Sequence, residues 1–292
     1  IVVSGCAAAP MNRAAVLSPA SLRLVGGVAT VLLLFSVTLK FLGGEPLGVI
    51  GPKHIVWLFA ASNYAASASC LLQLWAALHG RHSAAALSQQ SSRLGLCAVL
   101  LRAIWSLTGN AFRSSWLANL DVILSVGSSI ALNLALTPSL GPPLFGCHPL
   151  KPDQFPTLPV IGGVFGISVC SYALGLTDVQ HEAGFTMAAR WVCLGTAIYT
   201  QAAAVLPQRA ALARAKTVEA VTAHSVALLA LGAFFRTVMW VALMLEGEFH
   251  LMLMLGDFAF IGLLADFLLA YAQSVGASGL EAHVVVSPAD MI

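Results

Sequence analysis

Long apolar stretches alternate along the chain with short polar breaks, and most of the stretches have the length of a membrane span. A lipid-spanning helix needs about 20 predominantly apolar residues. The pattern predicts eight such helices: Leu24–Leu42, Ile55–Leu78, Leu94–Gly109, Trp116–Leu136, Leu158–Leu176, Met187–Leu206, Val221–Leu245 and Phe249–Ala272. The third is short and carries Arg102, so a seven-span arrangement is the main competitor. Breaks are predicted at Gly43-Gly44-Glu45-Pro46, at His79-Gly80-Arg81-His82 and from Asn110 to Ser115, where turn-forming and polar residues interrupt the pattern. The link from Thr137 to Pro156 holds Pro138, Pro142, Pro143, Pro149, Pro152 and Pro156. So many prolines predict a non-helical loop over the membrane surface.

Composition strengthens this reading. The 292 residues are 59% hydrophobic and 9% charged, with a mean hydropathy of +0.88, whereas a typical globular domain is about 25% charged. Too few charges exist to cover a water-facing surface, so the expected fold is an all-α polytopic membrane protein. The net charge of +2 is spread thinly, without a basic patch for nucleic acid. With eight spans both termini share one side. That side would carry Arg13, Arg23, Arg81, Arg93, Lys151, Arg209, Arg214 and Lys216, against Lys40, Lys53, Arg113 and Arg190 opposite. The excess places both ends in the cytosol or the matrix. No acidic residue precedes Glu45, while Arg13 and Arg23 do. A processed import leader over 1–23 and a short positive flank before a first membrane helix both produce that bias.

Charges within the spans are costly, about 2.5–3.5 kcal/mol each at a helix centre on insertion scales. They are Arg102, Asp121, Arg236, Asp257 and Asp266. At about 1.5 Å rise per residue, Arg236 and Asp257 reach similar depth on consecutive antiparallel helices and are expected to pair. Arg102 and Asp266 are a second candidate pair if their helices touch. Such pairs read either as structural pins of helix register or as a polar pocket or ion path. Four cysteines (Cys70, Cys97, Cys170, Cys193) lie in apolar spans, no CxxC occurs, and His224 and His250 sit at helix ends. That predicts packing rather than disulfides, and no metal or other cofactor. No GxSxG, HExxH or Gly-rich loop after a strand is present, so no enzyme is expected. Small residues recur at Gly26-Gly27, Ala65-Ala66, Gly127-Ser128-Ser129, Gly162-Gly163 and Ala202-Ala203-Ala204, which suits close helix packing or an interface shared with other membrane subunits. Pro207-Gln208 is expected to end or kink the sixth span, with the Gln amide meeting a freed carbonyl.

Several motifs run in a familiar order: Ile198-Tyr199, Val205-Leu206-Pro207-Gln208, Lys216-Thr217-Val218-Glu219-Ala220, Thr222 with His224, Met239-Trp240, Glu246-Gly247 and Asp266-Phe267. In this order the chain resembles the ER-lumen protein-retaining receptors, which bind Lys-Asp-Glu-Leu tails and belong to the PQ-loop and SWEET-like superfamily. Upstream, Leu71-Leu72-Gln73-Leu74-Trp75, Ser83, Leu87-Ser88 and Ser91, then Arg102, and Pro159 with Gly162-Gly163, extend the resemblance over about Ile55 to Gln273. It implies a seven-helix domain over 55–273, two triple-helix repeats around a linking helix. Residues 24–54 would form an extra span and link, and 274–292 a tail.

The resemblance also implies a lumen-facing cavity where arginines and tyrosines hold a tail's carboxylates. Arg102 matches one such arginine. Elsewhere the family's residues are replaced: Gly232-Ala233 stand for a tyrosine–arginine pair, Leu243 for a further arginine and Gln201 for an acid. Ala103 and Trp105 stand for a tyrosine and an aspartate, and Asn63 for a histidine. The tail from Ser274 contains no lysine, where the family uses lysines to engage the retrieval coat. A tail with three carboxylates needs several fixed donors. The expectation is therefore a non-catalytic accessory or structural subunit of a larger membrane assembly, such as a mitochondrial inner-membrane respiratory complex, with lipids and other subunits as partners. The alternatives are a divergent retrieval receptor in ER and Golgi, which would bind C-terminal peptide tails, and a small-solute transporter with Pro207 as hinge and Arg102 and Asp266 in its path.

Overall fold

The computed structural model describes residues 52–79, 86–108, 116–145, 155–176, 185–215, 217–245, 247, 250–279 and 284–285. The expected span Leu24–Leu42 lies outside the described residues, as do Glu246 and the side chains of Lys53 and Asp121. The described elements are α1 (Pro52–His79), α2 (Gln89–Thr108), α3 (Trp116–Leu136), α4 (Gly141–Phe145), α5 (Thr157–Ala173), α6 (Phe185–Ala215), β1 (Thr217–Val218), α7 (Ala220–Leu245), α8 (Leu251–Ser278) and β2 (Val284–Val285). Each described span expected from the apolar pattern is a helix.

By length and composition, two of these helices pass as membrane spans outright, Ala220–Leu245 and Leu251–Ala277, while Val122–Leu136 and Thr157–Ala173 are apolar but shorter. The other long helices are diluted by polar residues, and α1 shows where these go. Ser62, Asn63, Ser67, Ser69 and Gln73 are buried, while Leu71, Trp75 and Leu78 are exposed. This inverts the soluble pattern. In lipid an outward leucine costs nothing, whereas a polar group must find its partners inside the protein.

The helices pack as two triplets. In the first, α3 lies against both α1 and α2; in the second, α8 lies against both α6 and α7. The triplets meet reciprocally, α1 on α7 and α2 on α6, with α5 outside on α6. The α1–α7 contact is close because of Gly232, where a Cβ would stand 2.8 Å from the Ser62 carbonyl oxygen. The tyrosine that the family resemblance implies at this position has no room.

Three local expectations are corrected. Pro207 does not end its helix: α6 continues through it to Ala215. A proline inside a helix costs about 3 kcal/mol, and the turns beyond it offset that cost by burying Ala211 and Leu212 completely. The proline-rich link is not wholly irregular, since Gly141–Phe145 is helical. Its prolines, Pro142 and Pro143, occupy the first turn, where a backbone N–H has no intrahelical acceptor to lose. Finally, α8 runs on through Ser274 to Ser278, and the chain then returns to the bundle. Val284 and Val218 pair across β2 and β1, both fully buried in one cluster with Leu212, Val226 and Phe260.

Candidate functional site

The innermost charges are Arg236 on α7 and Asp257 on α8. Arg236 Nη2 donates to Asp257 Oδ1 at 2.7 Å, and Nε lies 3.0 and 3.2 Å from the two carboxylate oxygens. Trp240 Nε1 donates to Oδ2 at 3.0 Å, and Arg236 Nη1 reaches Ser62 Oγ on α1 at 3.3 Å. Asp257 is completely buried. Its carboxylate is therefore gripped by two side chains from α7, and the arginine is tied in turn to the first triplet.

Asp266 pairs with Arg209. It accepts from Arg209 Nη2 at 2.8 Å, and Arg209 Nη1 also donates to the Leu263 carbonyl at 3.3 Å. Because α6 continues past Pro207, Arg209 stays beside α8 and is buried, although its place after Pro-Gln predicts a flanking position. Gln208, one residue earlier, spends its amide on another segment. Its Oε1 accepts from the Ser88 N–H at 3.2 Å and its Nε2 donates to the Ala86 carbonyl at 2.8 Å. It thus joins α6 to the start of α2, rather than meeting a carbonyl of its own helix.

His224 Nδ1 lies 2.9 Å from Tyr271 Oη, joining the first turns of α7 to the last of α8. Glu219 precedes α7, its carbonyl accepting from the Ala223 N–H at 2.9 Å. These family-motif residues lie at the same end of the bundle as Gln208. Among the described residues, no three His, Cys, Asp or Glu side chains come together as a metal site.

Arg102, 7% exposed, stands between two cavities and lines both, as do Val99 and Gln201. The smaller, about 10 Å³, lies toward the end formed by the start of α1, the end of α2, the start of α6 and the end of α7. Arg236 and Phe59 also line it. An aromatic cluster fills this end of the bundle. Trp105 packs on Phe59 and Trp191 with ring centres 5.7 and 6.4 Å apart, and His250 stacks on Trp191 at 4.7 Å. Arg190 lies 6.0 Å above the Trp105 ring. The larger cavity, about 70 Å³, opens on the other side of Arg102, toward Gln208, and serines, glutamines and aliphatic residues line it. Asp266 lines neither cavity. Sequence reasoning missed Arg209, Ser67 and Trp240 as members of these polar sites. The position of Trp240 one turn after Arg236 was the available signal.

The model of a family described as ER lumen protein retaining receptor matches residues 83–243. The match runs from the link before α2 to the last turn of α7 and leaves α1 and α8 outside. No curated protein matches the chain. More than half of the sequence thus carries the family pattern, on helices packed as two triplets about an outlying fifth: the chain belongs to the ER lumen protein retaining receptor family.

Proposed function

We propose that this is a non-catalytic integral membrane protein in which the receptor-type bundle has lost its grip on acidic tails and serves as an accessory or structural subunit of a larger membrane assembly. One observation carries the reading: among the described residues, the cavity beyond Arg102, on the side of Trp105, Trp191 and His250, measures about 10 Å³. Small-molecule sites run to roughly 300–1,000 Å³, so a tail of several residues has no room there. The second arginine at that cavity, Arg236, already holds the Asp257 carboxylate, so it does not add a full positive charge for a ligand.

The subunit role draws support from α5, which buries only Val164, Ser168 and Ser171. Leu158, Phe165, Ile167 and Val169 are exposed on it, and a Cβ at Gly162, Gly163 or Gly166 would meet nothing within 4 Å. Native-size analysis after mild solubilisation tests the reading. Migration within a large complex is expected, and a lone 30.4 kDa chain in its detergent belt would refute it.

A divergent retrieval receptor is the second reading, favoured by Arg102 at the wall of both cavities. It requires saturable binding of a Lys-Asp-Glu-Leu peptide that strengthens at mildly acid pH and collapses in Arg102→Ala.

A further inference from the structure

Gln201 lines both cavities. On α6 it shares one face with Ala204, Val205 and Gln208, three, four and seven residues on, and all four line the larger cavity. The two glutamines of that face are placed very differently. Gln208 has its oxygen and its nitrogen both engaged by the segment before α2. Gln201 makes no side-chain hydrogen bond to any described residue, and its amide atoms keep accessible surface. Unlike the sealed hydroxyls of Ser67 and Ser92, this amide is open to an occupant. From α1, Gln73 joins the same lining. Its Nε2 donates to Ser69 Oγ at 3.2 Å, which leaves Oε1 as a second acceptor.

These groups narrow the chemistry of the occupant. A glutamine amide offers a carbonyl acceptor and two N–H donors. Left without partners in a protein interior it is costly, and an occupant that answers both kinds of group removes that cost. A primary amide does so in either orientation of the Gln201 side chain, because it carries the same two groups. An ion does not fit. Arg102 is the one charged side chain on the described lining, and it already interacts within the protein. An ion without a free counter-charge is strongly penalised away from water. Leu229 of α7 and Phe260 of α8 add an apolar wall, which suits a short hydrocarbon end. A single water fits in about 10–15 Å³, so about 70 Å³ leaves room for a handful of heavy atoms.

We propose that the larger cavity binds a small uncharged primary amide, its amide group paired with that of Gln201 and its hydrocarbon end against Leu229 and Phe260. The inference goes beyond the subunit reading and does not depend on it.

Equilibrium binding of radiolabelled propionamide to the full chain in lipid nanodiscs, against empty nanodiscs, tests it. Saturable binding is expected, at least tenfold weaker in Gln201→Leu and in Gly95→Leu. The second variant fills the cavity from a position where a Cβ would meet nothing within 4 Å. Two unlabelled competitors share the shape of propionamide: propionate, which carries a charge, and butanone, which lacks the N–H donors. Each should compete at least tenfold less well than propionamide. Thermal unfolding checks that the variants fold, and the competitor series on the wild type needs neither of them. The proposal falls if binding does not exceed that of empty nanodiscs, which would leave the cavity to water. It falls equally if a folded Gln201→Leu chain binds as well as wild type. Propionate competing as well as propionamide would make this an anion site, and butanone doing so an apolar void; either result overturns the assignment.

Discussion

Arg236 and Asp257 face one another across consecutive helices, Nη2 2.7 Å from Oδ1, with side chains 2% and 0% exposed. Removing one partner of a buried pair leaves an uncompensated charge and costs about 3–5 kcal/mol, while replacing both by apolar residues is often close to neutral. Arg236→Met and Asp257→Leu should each unfold well below the wild type on heating in detergent, and the double variant should recover most of the loss. Additive losses in the double variant would show that the two side chains act separately.

Gly232 lets α7 lie directly on the α1 backbone. A methyl group there would press on the Ser62 carbonyl oxygen at 2.8 Å, and a backbone atom cannot swing aside as a side chain can. Gly232→Ala is expected to cost about 1–3 kcal/mol, the range for overpacking, and Gly232→Leu more. Thermal unfolding of the purified variants measures both. A Gly232→Leu chain as stable as wild type would contradict this contact.

Gln208 satisfies one donor and one acceptor of the segment before α2. Gln208→Leu keeps the bulk and strands both groups, at about 1–3 kcal/mol for each buried one. The expected signature is local. Hydrogen exchange at the Ser88 amide should accelerate well before global unfolding, and exchange in α8 should not change.

Val284 returns the chain to the bundle and is fully buried beside Val218. A two-residue strand pair has little stability of its own, so the side-chain burial must hold it. Val284→Asp should release the segment, raising exchange at the amides of Thr217 and Val218 and making the residues after Ser278 sensitive to protease. Unchanged protection would mean that the backbone pairing alone suffices.

The helices were legible because apolar runs of span length have few other solutions in lipid. The Arg236–Asp257 geometry was legible for a related reason: a short link joins their helices, so counting residues at a fixed rise sets both depths. Arg102 and Asp266 lie on helices far apart in the chain, and depth alone does not say which helices touch. Asp266 pairs with Arg209, a residue whose position after Pro207 suggested a helix already ended. The hydrogen bonds of Gln208 were equally hidden, because both partners are backbone groups more than a hundred residues away.

The order of apolar and polar residues thus determined by itself that this is a helical membrane protein and that Arg102, Arg236, Asp257 and Asp266 lie along its helices. Composition and rise per residue act locally and need no knowledge of neighbours. Only the tertiary structure decided which side chains meet, that Arg102 lines both a small cavity on the aromatic side and a larger one on the Gln208 side, and that the C-terminal strand folds back onto the bundle. Those outcomes depend on lateral helix order and rotation, which follow from close contacts such as Gly232 against Ser62 and from the pairing of buried polar groups.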